Sequence, residues 1–310
     1  MVIKMGFINK GIKLVFNKRY RTIVLANKGF FNYLDDEKFL KKLFYAHFNS
    51  KLNLNNPSTY NEKIQWLKLY NRKPEYTMMV DKYLVRNYVR EKIGEEYLIP
   101  LLGVWDDPDK IDFDKLPMQF VLKCNHNSGL GMCICKDKNN LDIEQVKKEL
   151  RKGIEQDYYL TGREWPYKNV PRRIIAEKYM EDVSGELIDY KFMVFNGEVK
   201  CSFVGSNRYS SEGLHITFYD NEWNIMPLER HYPRSTTPLP KPECFDEMKK
   251  LAAKLAKNMP FVRVDFYEVE GKVYFGELTF FPGGGYEEFT PESWDYTLGN
   301  WIKLPTKQVK

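Results

Sequence analysis

Short runs rich in apolar residues recur between residues 120 and 278. Apolar runs of this length predict β-strands. The predicted strands are 120–124, 132–136, 173–178, 189–195, 198–205, 215–219, 261–267 and 272–278. Helical periodicity interrupts them at 142–157 and 244–258, and Asn196-Gly197 predicts a tight hairpin turn. The pattern therefore predicts an α+β protein.

The first third of the chain has helical periodicity instead. It extends from Asp35 to about Asn71, with Ser58 before Glu62 as a helix-start signal, and a further helix is predicted at 81–93. Two later stretches, 157–173 and the proline-rich 233–242, are predicted to be loops that cover a cleft. We therefore expect a helical scaffold followed by mixed strands and helices.

Composition places the chain among ordinary globular proteins. Its 310 residues are enough for two or three compact lobes, and no apolar run reaches the length of a membrane span. The five cysteines are odd in number and lack zinc-site spacing, which favours a reducing cytoplasm. The net charge of +6 arises from a chain rich in both signs, and no nucleic-acid motif is recognised, so no nucleic-acid partner is expected.

The first 28 residues contain seven lysines and arginines, and no acid precedes Asp35. We favour the interpretation that this segment is a basic helix or turn that docks its apolar side on the protein body. The alternative is peripheral contact with an anionic membrane surface on the inner face.

Two carboxylates, Asp265 and Glu277, fall on adjoining predicted strands. A three- or five-residue loop centred on Gly271 would place them directly opposite each other. Like charges in that position destabilise a sheet, so the arrangement suggests a bound divalent cation such as Mg²⁺. The alternative is a solvated hairpin face.

A phosphate-binding region is suggested by Lys123 at the end of a strand, followed by the polar loop Asn125 to Gly131. Gly129 and Gly131 allow close backbone approach to a ligand, although a plain β-hairpin would have the same pattern. Lys191 lies in the middle of another strand, on the face that also carries Asp189. That lysine would equally suit an exposed sheet face.

Taken together and in order, these segments resemble the ATP-grasp superfamily, and most closely its TupA-like branch, named for teichuronopeptide biosynthesis. The resemblance spans about residues 60–290 and implies ATP held between two α+β lobes, with a helical N-terminal extension. The implied divisions are 1–75 for the extension, 76–175 for the first lobes with the phosphate loop, and 176–310 for the C-terminal lobe with a metal site. The stretches that carry it are NEKIQWLKLYNRKP, DKYLVRNYV, EEYLIPLLGVW, DFDKLPMQFVLKCNHNSG, RRIIAEKYM, DYKFMVFNGEV, RVDFY and GELTFFPGGG.

The resemblance also implies a role for individual residues. The ATP phosphates would contact Lys82, Lys123, Lys191 and the loop containing Ser128, Gly129 and Gly131. Adenine and ribose would contact Glu177, Lys178, Met180 and either Glu181 or Glu186. Magnesium would bind Asp265, Glu277 and Thr279, and Arg263 and Lys191 would stabilise the transferring group. Thr279 is a departure, because many ATP-grasp enzymes have asparagine at this position.

The activity implied is an ATP-dependent carboxylate-amine ligase that acts through an acylphosphate. Its partners would be a carboxylate-bearing sugar or glycan, such as a uronic acid of a cell-surface polysaccharide, and an amine or amino acid. A sugar kinase and a non-catalytic glycan-binding module remain alternatives, whereas the residues singled out above are the wrong set for a glycosyltransferase. For five candidate substrate contacts a structural role is favoured: Trp66, Arg208, His215, Arg230 and Tyr286.

Overall fold

The computed structural model describes residues 14–182, 187–206 and 213–307. Their elements form an α+β architecture with two main antiparallel sheets and a third sheet of two short strands, and the α+β class agrees with the prediction. The small sheet uses strands between residues 101 and 178, and the large sheet uses strands between residues 189 and 279. The domain divisions at 75/76 and 175/176 stay predictions. Within the described residues, none of the helices has both the length and the apolar character needed to cross a bilayer.

Helices α1 (Lys18–Asn27), α2 (Asp36–Phe48) and α3 (Tyr60–Tyr70) form the N-terminal part. The start of α3 differs by one residue from the prediction. Thr59, rather than Ser58, is the N-cap, and it forms a reciprocal capping box with Glu62. A small core joins the first two helices, formed mainly by Ala26, Phe39, Leu40, Leu43 and Phe44.

The helix predicted at 81–93 corresponds to α5 (Val85–Lys92), which begins four residues later than predicted, and a separate short helix, α4 (Glu75–Val80), precedes it. Asp81 lies between them, and its Oδ1 accepts hydrogen bonds from the backbone amides of Tyr83 and Leu84. An aspartate whose side chain binds the following amides favours a new helix start over continuation.

The small sheet has the order β1-β4-β2-β3, with β1 Leu101–Trp105, β2 Phe120–Cys124, β3 Met132–Cys135 and β4 Ile174–Lys178. Strand β1 was not predicted. Its alternation is interrupted at Gly103, where the Trp105 ring occupies the space of a side chain, and the pairing with β4 shifts there. Helix α6 (Ile143–Glu155) covers the buried face of this sheet.

The large sheet has the order β10-β9-β5-β6-β7. Its strands are β5 Asp189–Phe195, β6 Glu198–Ser206, β7 His215–Tyr219, β9 Phe261–Val269 and β10 Lys272–Thr279. Asn196 and Gly197 both have positive φ, which confirms the predicted tight turn between β5 and β6. Helix α8 (Phe245–Leu255) packs on one face, where Phe192, Val264 and Phe266 are fully buried. The opposite face carries the charged residues Lys191, Arg263 and Asp265 next to buried apolar ones such as Phe195 and Phe261.

The remaining elements lie around the large sheet and were not predicted. Helix α7 (Tyr158–Gly162) and the short helix Trp165–Asn169 occupy the stretch 157–173, so the prediction of a plain loop there is wrong. The two-residue strands β8 (Glu229–Arg230) and β11 (Phe289–Thr290) pair with each other, and helix α9 (Ser293–Trp301) packs on α3. Strands of two residues are too short to show alternation.

Candidate active site

One row of side chains crosses the charged face of the large sheet. Glu277 lies opposite Asp265, Asp265 opposite Lys191, and Lys191 opposite Phe203. Residues directly opposite each other in antiparallel strands share a face. The sequence therefore predicted the juxtaposition of Asp265 and Glu277 correctly.

The hairpin that creates this pairing is not the one predicted. The turn has two residues, Glu270 and Gly271, both with positive φ, instead of a three- or five-residue loop. That turn alone would set Gly276 opposite Asp265. A bulge between Phe275 and Glu277 adds one residue and brings Glu277 into register. A side chain at Gly276 would approach the Asp265 carbonyl oxygen to 3.1 Å.

The two carboxylates are already neutralised by cations of the chain. The Arg263 Nη2 lies 2.6 Å from Asp265 Oδ2 and 2.7 Å from Glu277 Oε1. The Lys191 ammonium donates to Asp265 at 2.7 Å and also to Asp189. The expectation of an unrelieved repulsion is therefore wrong, because strand alternation does not show that Arg263 reaches between the two acids.

Burial and charge set the ionisation of this cluster. Burial would lower the pKa of Arg263, but the carboxylates of Asp265 and Glu277 raise it above its ordinary value. Burial would raise the pKa of Glu277, but Arg263, Lys82 and Lys191 lower it to about 2. Burial raises the pKa of Asp189 to about 6. At neutral pH, Glu277 is thus anionic beside a cationic Arg263.

The donor set fits a magnesium ion that shares its coordination with phosphate. In the described parts of the chain, no three acidic, histidine or cysteine side chains converge as a metal site. Asp265 is 1% exposed and Glu277 is 41% exposed, and the Thr279 hydroxyl donates to Glu277 Oε1 at 2.8 Å. Mg²⁺ commonly takes one or two carboxylates and completes its shell with water and phosphate oxygens.

On the small sheet, Lys123 and Glu177 form an ion pair at 2.6 Å, and Arg86 lies 3.6 Å from the same carboxylate. The Lys178 amide donates to the carbonyl of Pro100 at 3.0 Å, and Met180 follows the end of β4. Glu186 lies outside the described residues. The predicted nucleotide residues of β2 and β4 are therefore neighbours, with Glu177 at their centre.

Two apolar residues on this sheet face were missed by sequence analysis. Met132 is 50% exposed and Ile134 is 53% exposed. They stand opposite Lys123 and Val121, so they share the face of the Lys123–Glu177 pair. The signal was the alternation of Met132 and Ile134 with two cysteines. Exposed apolar side chains beside an ion pair suit a planar, uncharged base next to phosphates.

The loop after β2 is anchored by buried polar residues. Asn125 donates to Asp81 Oδ1 and to the Pro171 carbonyl, Asn127 donates to the Gly153 carbonyl, and His126 bonds the Gln156 carbonyl. These contacts fix the base of the loop.

The two loop glycines differ in their surroundings. Ser128 and Gly129 are exposed, and a side chain at Gly129 would meet nothing within 4 Å. At Gly131 the added carbon would lie 2.7 Å from Cys124 Sγ and 2.8 Å from the Gly153 Cα. Gly131 is thus required for packing against α6, whereas Gly129 is free to approach a ligand.

Lys82 connects the charged faces of the two sheets. Its ammonium donates to the Asn127 carbonyl. Burial lowers its pKa, Glu277 opposes that change, and Lys123 adds to it. A small cavity beside β10 of the large sheet is lined by Lys82, Tyr167 and Glu277 among others. The cations of both lobes therefore face one cleft.

The stretch 157–173 is tied to the N-terminal helices. Arg163 is buried and donates to the carbonyls of Asn32 and Leu34. Tyr159 donates to Asp36. Tyr158 lies close enough to Ser128, Glu164 and Glu277 for each to influence its pKa, which burial raises. This stretch therefore lies beside the cleft, as predicted, but as an ordered strap and not as a loop.

The triple glycine lies in the turn Pro282–Gly285, whose three glycines all have positive φ. Helix α3 holds this segment. Gln65 donates to the carbonyls of Gly284 and Gly285 at 2.9 and 2.8 Å, and Lys68 donates to that of Gly284 at 2.6 Å. The NEKIQWLK and PGGG stretches are thus partners in the fold, which neither pattern indicated alone.

Lys68 and Glu164 form a buried pair of opposite charge near the cluster. Lys68 is fully buried, and Glu164 is 8% exposed. Burial lowers the pKa of Lys68 to about 8 and raises that of Glu164 to about 7, and each charge opposes the shift of the other. Sequence analysis missed both, because a lysine in a helical pattern is usually exposed.

Four of the five candidate substrate contacts lie within the described residues. Trp66 is buried and packs edge-on against Tyr70, and Tyr286 is buried and stacks on His47 at 4.5 Å. His215 lies in β7 opposite Ser206. Arg230 is near the charged row, and Arg208 lies outside the described residues. Packing explains Trp66 and Tyr286.

The family of the chain is decided by its match to a family profile. The profile of the TupA-like ATP-grasp family matches residues 62–303, which is most of the chain. The chain belongs to the TupA-like ATP-grasp family. The fold inferred from the motifs is thereby confirmed, with the two α+β lobes of this TupA-like ATP-grasp protein facing each other across Lys82.

Solved structures similar to this TupA-like ATP-grasp protein are distant. The D-alanine–D-alanine ligase from Bacillus anthracis, complexed with ATP, is 17% identical with a TM-score of 0.42, covering 73% of this chain and 63% of that chain. The Helicobacter pylori D-alanine–D-alanine ligase is 14% identical with a TM-score of 0.41, covering 79% and 70%. The ADP complex of purK, N5-carboxyaminoimidazole ribonucleotide synthetase, is 13% identical with a TM-score of 0.43, covering 79% and 57%. No curated protein matches the chain.

Proposed function

We propose that this protein is an ATP-dependent ligase that joins a carboxylate to an amine by way of an acylphosphate. The observation that carries the proposal is the charged row Lys191, Asp265 and Glu277 with Arg263, facing the Lys123–Glu177 pair in a member of an ATP-grasp family. Such a concentration of paired charges within a cleft is typical of phosphoryl transfer.

Each group of residues has a proposed task. Lys82, Lys123 and Lys191, with Ser128, Gly129 and Gly131, hold the phosphates of ATP. Adenine lies against Met132 and Ile134 and contacts the end of β4 at Glu177, Lys178 and Met180, while Glu186 contacts the ribose. Asp265, Glu277 and Thr279 hold magnesium together with phosphate oxygens. When bound, ATP and magnesium supply a transferable phosphoryl group and neutralise part of its charge.

The chain's own residues orient and stabilise the reacting groups. Arg263 and Lys191 place two cations beside Asp265, where negative charge develops during transfer to the substrate carboxylate. Gly129 is exposed and a side chain there would meet nothing within 4 Å, so we assign to this tip of the loop the closure over phosphates that excludes water from the activated carboxylate.

The substrate proposed is a uronic-acid-type carboxylate of a cell-surface polysaccharide, and the amine is an amino acid or small amine. This follows from the branch that the motifs resemble. The reaction is assigned to the cytoplasm, and peripheral contact of the basic residues 1–28 with the inner membrane face is kept as the alternative to their docking on the protein body. The pattern of charges in that segment supports the contact.

A coupled ADP-release assay tests the reaction. We expect ADP formation that requires ATP, magnesium, a uronic acid and an amine, and that Lys191→Ala abolishes. Hydroxylamine in place of the amine should trap the activated carboxylate as a hydroxamate. ADP release with a neutral sugar and without any amine would instead identify a kinase.

A further inference from the structure

Arg230 stacks on the same aromatic ring as Arg263, beside the charged row. Its guanidinium carbon lies 4.2 Å from the centroid of the Phe203 ring, and that of Arg263 lies 5.9 Å from the same centroid. Phe203 stands opposite Lys191 on the next strand, so it continues the row that contains Asp265 and Lys191. Because strands are about 4.8 Å apart, Arg230 covers a point about 10 Å from Asp265 along the sheet.

Glu287 fixes the position of Arg230. Its Oε2 lies 3.3 Å from Arg230 Nε and 3.2 Å from His231 Nε2. The Asn61 side chain accepts from the Glu287 amide at 2.8 Å. Burial would raise the pKa of Glu287, but Arg230 and His231 lower it, so the carboxylate is ionised and holds the guanidinium by one edge.

The other edge of Arg230 is unused. A guanidinium has five N–H donors, arranged in a fork that matches a carboxylate or a phosphate. Among the residues that the structure describes, no hydrogen-bond acceptor lies at either Nη of Arg230, and 15% of the side chain is exposed. A fixed cation with free donors, close to Lys191 and Arg263, is suited to an anion carried by the substrate.

We propose that Arg230 binds a second anionic group of the carboxylate substrate, and that this contact sets a preference for doubly charged substrates. The inference rests on the proposed ligase function, in which the reacting carboxylate lies beside Arg263 and Lys191. The second group lies farther along the sheet, over Phe203. A neighbouring uronic acid or a sugar phosphate would supply it, since both present the same charged oxygens.

Calorimetry with three probes tests the preference in the full chain with magnesium and a nonhydrolysable ATP analogue. The probes are galacturonic acid, digalacturonic acid and galacturonic acid 1-phosphate. The wild-type protein should bind at least one doubly charged probe more tightly than the singly charged one, and which one it favours identifies the source of the second anion. Arg230→Gln should weaken that probe about 10- to 100-fold and leave galacturonic acid unchanged.

Two further variants keep the test interpretable. Arg230→Lys preserves the charge beside Glu287 but lacks the fork, so it should retain the fold and still lose most of the preference. Arg234 is a nearby exposed arginine, and Arg234→Gln should change neither the fold nor the preference for doubly charged probes. A wild-type protein without the preference, or an Arg230→Lys variant that retains it fully, overturns the proposal. A preference that Arg230→Gln abolishes, in a protein that turns over no carboxylate–amine pair, would keep this anion site and reject the ligase function.

Discussion

Arg263 binds Asp265 through two nitrogens, Nε to Oδ1 at 2.7 Å and Nη2 to Oδ2 at 2.6 Å. The two residues lie on the same face of β9, two positions apart. Since Nη2 also reaches Glu277, one guanidinium occupies the space between the carboxylates proposed to hold magnesium. Metal binding must therefore compete with Arg263, or share the carboxylates with it.

The first prediction follows for Asp265→Asn. Asp265 is 1% exposed and accepts from both Arg263 and Lys191. Removing its charge leaves two partly buried cations with only Asp189 and Glu277 as acidic partners, so the variant should lose turnover and about 1.5–3 kcal/mol of unfolding free energy even without metal. Urea unfolding in EDTA measures this. Glu277→Gln is the control and should lose less stability, because Glu277 is 41% exposed. An Asp265→Asn variant as stable as the wild type would mean that the cations do not depend on it.

Local patterns predicted much of this fold because strands and their turns are encoded by neighbouring residues. The limits of β2, β5 and β7 agree with the prediction, and Asn196-Gly197 forms the predicted turn. The opposition of Asp265 and Glu277 was predicted with the wrong hairpin. The turn is shorter than predicted, and a bulge adds one residue, so the two differences cancel and Glu277 still lies opposite Asp265. Only the pairing of the two strands in the structure shows the turn and the bulge.

Other features depend on contacts distant in sequence. Lys68 is buried because it donates to the carbonyls of Gly162 and Gly284, which are 94 and 216 residues away. Strand β1 pairs only with β4, more than 60 residues later in the chain, and helical periodicity at 81–93 does not reveal the cap at Asp81. No sequence pattern within one segment contains these partners.

A second prediction concerns the phosphate-binding lysines. Lys123→Ala and Lys191→Ala should each weaken nucleotide binding by roughly 1.5–3 kcal/mol, since each removes a charge-assisted contact. Both should remain folded. Calorimetry with a nonhydrolysable ATP analogue measures the affinity, and the exposed Lys115→Ala serves as control. Wild-type affinity in both variants would exclude these lysines from the site.

The two glycines of the phosphate loop provide a matched pair for a third prediction. Gly129→Ala should cost about 1–2 kcal/mol of stability for its positive φ and should mainly raise the KM for ATP. Gly131→Ala meets Cys124 and Gly153 as well, so it should lose about 1–3 kcal/mol more. Thermal unfolding and steady-state kinetics separate the effects. Equal stability of the two variants would contradict the packing role of Gly131.

A fourth prediction concerns pH. Burial raises the pKa of Glu164 to about 7 from an ordinary 4.5. Between pH 4.5 and about 7, the Glu164 carboxyl is therefore mostly protonated in the folded state and mostly ionised in the unfolded state. The free energy of unfolding should therefore fall as pH rises from 4.5 to about 7, by up to about 3 kcal/mol. Glu164→Gln should flatten this slope in urea titrations, whereas the exposed Glu144→Gln should not. An unchanged slope in Glu164→Gln would assign the pH dependence to other groups.

The fifth prediction separates the two interpretations of the basic N-terminus. In α1, Ala26 is buried against α2, which supports docking of this helix, while Lys18, Arg19 and Arg21 are exposed. Residues 1–13 lie outside the described part of the chain. Deletion of residues 1–28 would therefore remove core contacts, and a better variant lacks residues 1–17 and carries glutamine at 18, 19 and 21.

Each cation contributes about 1 kcal/mol near anionic lipid, so the full chain should sediment with anionic vesicles at low salt and release at high salt. The variant should fail to sediment and should retain ATP hydrolysis, because the proposed site residues lie beyond residue 81. Sedimentation of the variant equal to that of the full chain would show that these charges do not recruit the protein to membranes.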